Sequence, residues 1–184
     1  MPRPQSKASI AGHPIHSMLV SFPIAFFVGA LLSDIAFWRN ANLVWFTASE
    51  WLIGAGLVMA ALAAIAGVTD FLSERLIRNL TVAWWHGGLN GVMVLVEAYN
   101  FYVRYTLGVS TVLYSGLVMS AISVGILLVT GWLGAEMVFR HGVGVADRPA
   151  DRNARRFNTD IKEDGRFKYP HDRNVPSEPE NRLH

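Results

Sequence analysis

The sequence predicts an all-α integral membrane protein: a four-helix up-down bundle followed by a disordered polar C-terminal tail. Three observations carry this. Of 184 residues, 52% are hydrophobic, and mean hydropathy is +0.29. The apolar residues fall in four long runs, and about 20 are needed to cross ~30 Å of hydrocarbon as helix. The charge is segregated: nine of sixteen Lys/Arg and eight of fourteen Asp/Glu lie between Ala146 and His184. Ahead of that point the chain is nearly uncharged, so one polytopic domain fits better than a soluble core.

Residues 1–11 read as a polar arm that frays, with Arg3 and Lys7. The transmembrane domain spans 12–145. Its first helix covers roughly 16–38. Pro14 suits a first turn, where a missing N–H costs nothing, and Pro23 kinks the span. Asp34 lies eighteen residues beyond His16, about five turns on, so the two share a face. The second helix covers roughly 51–71. It is rich in small residues (Gly54, Gly56, Ala60, Ala63, Ala64, Gly67) that let helices approach closely in lipid. The connection from Ser73 to Val82 carries Glu74, Arg75 and Arg78, and Trp84-Trp85 mark an interface belt.

The third helix covers roughly 86–105. His86, Asn90, Glu97, Asn100 and Arg104 fall on about a third of its circumference, and such a stripe should face the interior. Glu97 or Asp34 then pairs with Arg104 or Arg39 as a polar network, or the stripe forms a proton or ion path. The fourth helix covers roughly 114–139, with Glu136 and Arg140 spaced to pair. From 146 to 184 apolar periodicity stops and four prolines occur, which reads as disorder.

Composition excludes several functions. Without cysteine, zinc–thiolate, iron–sulfur and covalent haem sites cannot form within the chain. The basic residues are interleaved with acids, which argues against nucleic acid. No nucleophile elbow or phosphate loop appears, so the sequence does not point to an enzyme. The first apolar run is full helix length and lacks a small-residue cleavage site, unlike a signal peptide.

Four antiparallel spans gather His13, His16, Asp70, His86, Glu136, Arg140 and His141 at one face. Basic residues concentrate there, which makes both termini cytoplasmic. His16 and His86 would face each other across the core as axial ligands of a b-type haem. His13 and His141 are substitutes or a second pair. Gly12, Gly87, Gly88 and Gly91 would leave room for the macrocycle, and Arg75, Arg78 and Arg140 would pair with its propionates. A bare metal could use the same histidines with Asp70 as a third ligand. Interfacial His and Trp residues also serve simply as anchors, and that alternative stands beside the ligand reading.

The stretch Gly12-His13-Pro14-Ile15-His16-Ser17-Met18-Leu19-Val20, with Phe22-Pro23-Ile24, resembles a family of small predicted bacterial membrane proteins of unknown function. So do Gly67-Val68-Thr69-Asp70, His86, and the run from Gly131 to Val145 (GWLGAEMVFRHGVGV). The family pattern often has Pro where Ser17 stands. The resemblance covers about residues 10 to 146. It implies four membrane helices and a bacterial inner-membrane location, marks His13, His16, His86 and His141 for test, and supplies no activity. Relatives fused to Rieske or cytochrome-type domains associate it with redox chemistry.

The leading expectation is a small membrane protein that binds haem b and passes electrons to a redox partner. One alternative is an accessory subunit, packed by its small-residue faces into a larger complex or a homo-oligomer. The other is a metal- or proton-handling protein. The lipid bilayer is a partner in each case.

Overall fold

A computed structural model describes residue 4 and residues 6–111 and 115–145. The chain divides into units 1–146 and 147–184. The tail expected to be disordered, and the expected start of the fourth helix at Tyr114, lie outside the described residues.

The fold is mostly helical. A two-residue hairpin pairs β1 (Ser9–Ile10) with β2 (His13–Pro14). Among the described residues six α-helices follow: α1 (Ile15–Leu19), α2 (Ser21–Asn40), α3 (Leu43–Ser73), α4 (Arg75–Arg78), α5 (Thr81–Leu107) and α6 (Leu117–Phe139). A 3₁₀ turn, Gly108–Thr111, follows α5.

Each boundary has a local cause. The break between α1 and α2 falls at Val20, three residues before Pro23. The Pro23 ring lacks an N–H for the carbonyl of Leu19 and crowds it, so the expected kink becomes an interruption. Asn42 caps α3, its side chain accepting from Val44 N at 3.0 Å. This start is eight residues earlier than the apolar run indicated. Thr47, Ser49 and Glu50 hide the helix from a hydropathy reading, although Ser49 is buried on its inner face. α5 likewise begins five residues early, at Thr81, and a short helix occupies the expected loop. Gly108 ends α5 with φ +70 and ψ −154, a conformation open essentially to glycine.

Only Ala41 and Asn42 separate α2 from α3. Ala41 takes a left-handed φ of 53 and its N–H bonds Phe37 O at 2.8 Å. A Cβ is unfavourable there, so Ala41→Gly should stabilise the protein by about 1 kcal/mol. Thermal unfolding in detergent checks this, and a lower midpoint would contradict it.

α2 packs against α3 and α6, and α5 packs against α6 and α3, so the four long helices close a ring of contacts. The centre of the ring is apolar: Phe27, Ala30, Ile53, Ala60, Met93 and Leu127. At Gly56 an added Cβ would stand 2.6 Å from the Phe27 ring. The glycine is therefore what lets α3 approach α2.

The surface reverses the soluble pattern. Asp34, Glu97, Asn100, Arg104, Ser120 and Ser123 are buried, while Trp51, Leu95, Leu128, Trp132 and Phe139 are exposed. Large apolar surface of this kind requires an apolar solvent. Among the described residues three helical stretches are long and apolar enough to cross a membrane: Ile15–Asn40, Leu43–Ser73 and Leu117–Phe139.

Candidate functional site

Two polar layers flank the apolar centre. The first is built on His16, carried by α1, and His86, carried by α5. His16 Nδ1 donates to the Ala63 carbonyl of α3 at 2.8 Å. His86 Nδ1 donates to the Thr130 carbonyl of α6 at 2.9 Å. The ring centroids lie 6.3 Å apart with planes at 82°.

The hydrogen bonds fix the tautomers. A backbone carbonyl can only accept, so each Nδ1 must carry its hydrogen. Asn90 supports the same assignment. Its Nδ2 donates to the His86 carbonyl at 2.8 Å, which sets the orientation of the amide, and the same Nδ2 lies 3.3 Å from His86 Nε2. In the neutral imidazole each Nε2 then presents a lone pair, that of His86 toward Asn90 Nδ2. Glycines seat the rings. A Cβ at Gly67 would lie 2.8 Å from His16 Nδ1, and one at Gly134 would lie 3.3 Å from His86 Cε1.

The other nominated residues are placed differently. His13 is exposed, its Nδ1 on the Ala11 carbonyl at 3.1 Å. His141 is also exposed. Arg140 pairs with Glu136 at 3.1 Å, as their spacing indicated. Arg75 is exposed, and Arg78 lends its carbonyl to Trp84 Nε1 at 3.0 Å. Asp70 accepts from Ser6 Oγ, Lys7 N and Ala8 N, each at 2.7 Å. It anchors the N-terminal arm, which is held from Ser6 onward where fraying was expected. Among the described residues no group of three or more His, Cys, Asp or Glu side chains could hold a metal ion. Gly87, Gly88 and Gly91 border open space and are exposed on α5.

The second polar layer joins all four long helices. Arg104 grips Asp34 with two hydrogen bonds, at 2.7 and 2.6 Å. Its guanidinium also donates to Ser49 Oγ, Asn100 Oδ1 and Ser120 Oγ. Asp34 is thus the partner of Arg104, while Arg39 is exposed.

The two ends of the described chain meet beside the histidine layer. Gly144 N donates to Pro4 O at 3.0 Å, and a Cβ at Gly144 would lie 3.1 Å from Pro14 Cγ. A family model described as "Predicted membrane protein (DUF2231)" matches residues 12–147. The chain belongs to this family. Its members are grouped as membrane proteins of unknown function, and the matched region contains both polar layers. No curated protein and no solved structure matches the chain.

Sequence reasoning found the two histidines and the α5 stripe. It missed the Ala63 and Thr130 carbonyls, because any residue supplies a carbonyl. Gly67 was visible only as a small residue suited to packing and Gly134 only within the run from Gly131 to Val145, and only the folded chain shows the rings against them.

Proposed function

We propose that this protein is a metal-handling protein of the bacterial inner membrane, with His16 and His86 as its ligands. The observation that supports this reading is the paired tautomer: both Nδ1–H groups are held by backbone carbonyls, which leaves Nε2 as the ligating nitrogen of each ring, that of His86 with Asn90 Nδ2 3.3 Å away. Metal-ligating histidines characteristically commit their second nitrogen in this way. The two imidazoles, 6.3 Å apart between ring centroids, would hold a single ion through their Nε2 atoms, with metal–nitrogen bonds of about 2.0 Å. Imidazole suits zinc, copper, iron and nickel.

A b-type haem is the rival occupant. Its iron would take both imidazoles and add one-electron chemistry. The packing favours a bare ion. The glycines against the rings, Gly67 and Gly134, are already filled by them, and those expected to make room face outward.

The same proposal makes α5 a fourth span, giving an up-down bundle with both termini on the cytoplasmic side. Its outward residues Val92, Leu95, Tyr99, Tyr102 and Tyr105 are apolar or aromatic and exposed. Its mean hydropathy is lowered by the inward stripe, which lipid does not meet. The basic residues at the His end support the orientation.

The test is metal analysis with optical spectra, oxidised and reduced, of the detergent-purified full chain. The expected result is one bound metal, with affinity at least about tenfold weaker in His16→Ala and in His86→Ala. Sharp haem bands lost in both variants would assign the pair to haem iron instead. Equal metal content in wild type and both variants would overturn the ligand assignment.

A further inference from the structure

Glu97 is fully buried on α5 and plays no part in the histidine site. Its Oε2 accepts from Asn100 Nδ2 at 3.1 Å. Its Oε1 makes no hydrogen bond of good geometry among the described residues, and neither does the buried Ser123 Oγ of α6, although Ser123 stands close enough to interact with the Glu97 carboxyl. Every other buried side-chain nitrogen or oxygen among the described residues is paired.

The charges around Glu97 do not cancel. The charged groups facing it are Arg104, on its own helix, and Asp34, from α2. Ser49 of α3 and Ser120 and Ser123 of α6 complete the layer with hydroxyls. Arg104 is saturated by Asp34, Asn100, Ser49 and Ser120. An ionised Glu97 would leave one uncompensated negative charge away from water, which burial strongly disfavours.

We propose that Glu97 and Ser123 form a proton-binding site inside the helix assembly, with Glu97 holding its proton on Oε1. A proton removes the surplus charge, which the Ser123 hydroxyl, able only to donate to Oε1, would not, and the carboxyl O–H can then donate to Ser123 Oγ. No co-reactant is needed: the proton comes from solvent and returns there. Glu97 is eleven residues from His86 on α5, about 16 Å along the helix, with buried Met93 between them. The site is therefore separate from the imidazole pair and stands or falls independently of it.

The experiment is infrared spectroscopy of the full-length protein in lipid, in light and heavy water at neutral pH. Wild type should show a protonated-carboxyl C=O band that shifts on deuteration. The band should be missing in Glu97→Gln and present in Asp34→Asn, and should move to higher frequency in Ser123→Ala as a hydrogen bond is lost. Glu97→Gln should unfold at or above the wild-type temperature, because a neutral amide replaces a neutral acid. Carboxylate bands alone in wild type would overturn the proposal. So would a carboxylate band at Glu97 that shifts with added sodium or potassium, which would assign the two oxygens to a metal cation. If Glu97→Gln does not fold, the Ser123→Ala shift in the folded protein decides the same question, and an unmoved band overturns the proposal.

Discussion

Arg104→Ala should destabilise the protein by about 3–5 kcal/mol, the range for removing one partner of a buried ion pair. Arg104 and Asp34 have fully buried side chains, and Arg104 makes five hydrogen bonds to groups on all four long helices. Its loss strands the Asp34 carboxylate with only Ser120 Oγ, at 2.7 Å, still donating to it. A double variant with Asp34→Asn should recover much of the loss, because the stranded charge disappears. Thermal or denaturant unfolding in detergent reads both. A loss below about 1 kcal/mol in the single variant would be that of an exposed pair and would contradict the buried geometry. Lys is not an adequate replacement, since the planar guanidinium bonds both Asp34 oxygens at once.

Asp70→Ala should cost about 3 kcal/mol and release the N-terminal arm. Three donors converge on this carboxylate, and hydrogen bonds to a charged group contribute about 1.5–3 kcal/mol each, without simple additivity. The arm carries Pro4, whose carbonyl holds Gly144, so the closing segment after α6 should loosen as well. Limited trypsin digestion provides a second readout: cleavage after Lys7 should be slow in wild type and at least tenfold faster in the variant. Unchanged cleavage would mean that the hairpin of β1 and β2 holds the arm without Asp70. The same contacts explain why Asp70 is a poor third metal ligand, since both of its oxygens are occupied by protein donors.

Local chemistry decided much of what was legible. Apolar runs and small residues marked three spans, and the i+3/i+4 stripe on α5 marked its inner face, because helical periodicity is written in the sequence. Pro23 marked a kink in the first span, which the folded chain turns into an interruption at Val20. Boundaries were less legible where polar residues interrupt a run. The first eight residues of α3 are helical because Asn42 caps them and Ser49 finds a buried place, and neither fact is visible to hydropathy.

Hydropathy and helical periodicity along the chain suffice to specify a helical membrane protein with an ionisable interior and histidines at one end. Which of those groups meet depends on how the helices pack. Two of the four nominated histidines come together, because α1 and α5 carry them onto Gly67 and Gly134 while His13 and His141 turn outward. Arg104 selects Asp34, seventy residues away, over Glu97 on its own helix. A helix side chain reaches neighbours on its own helix by periodicity, but its partners on other helices depend on how far and at what angle those helices approach. That approach is set by a Cβ absent at Gly56, Gly67 and Gly134. It also leaves Glu97 the surplus acid, a property of the assembled layer that no single segment carries.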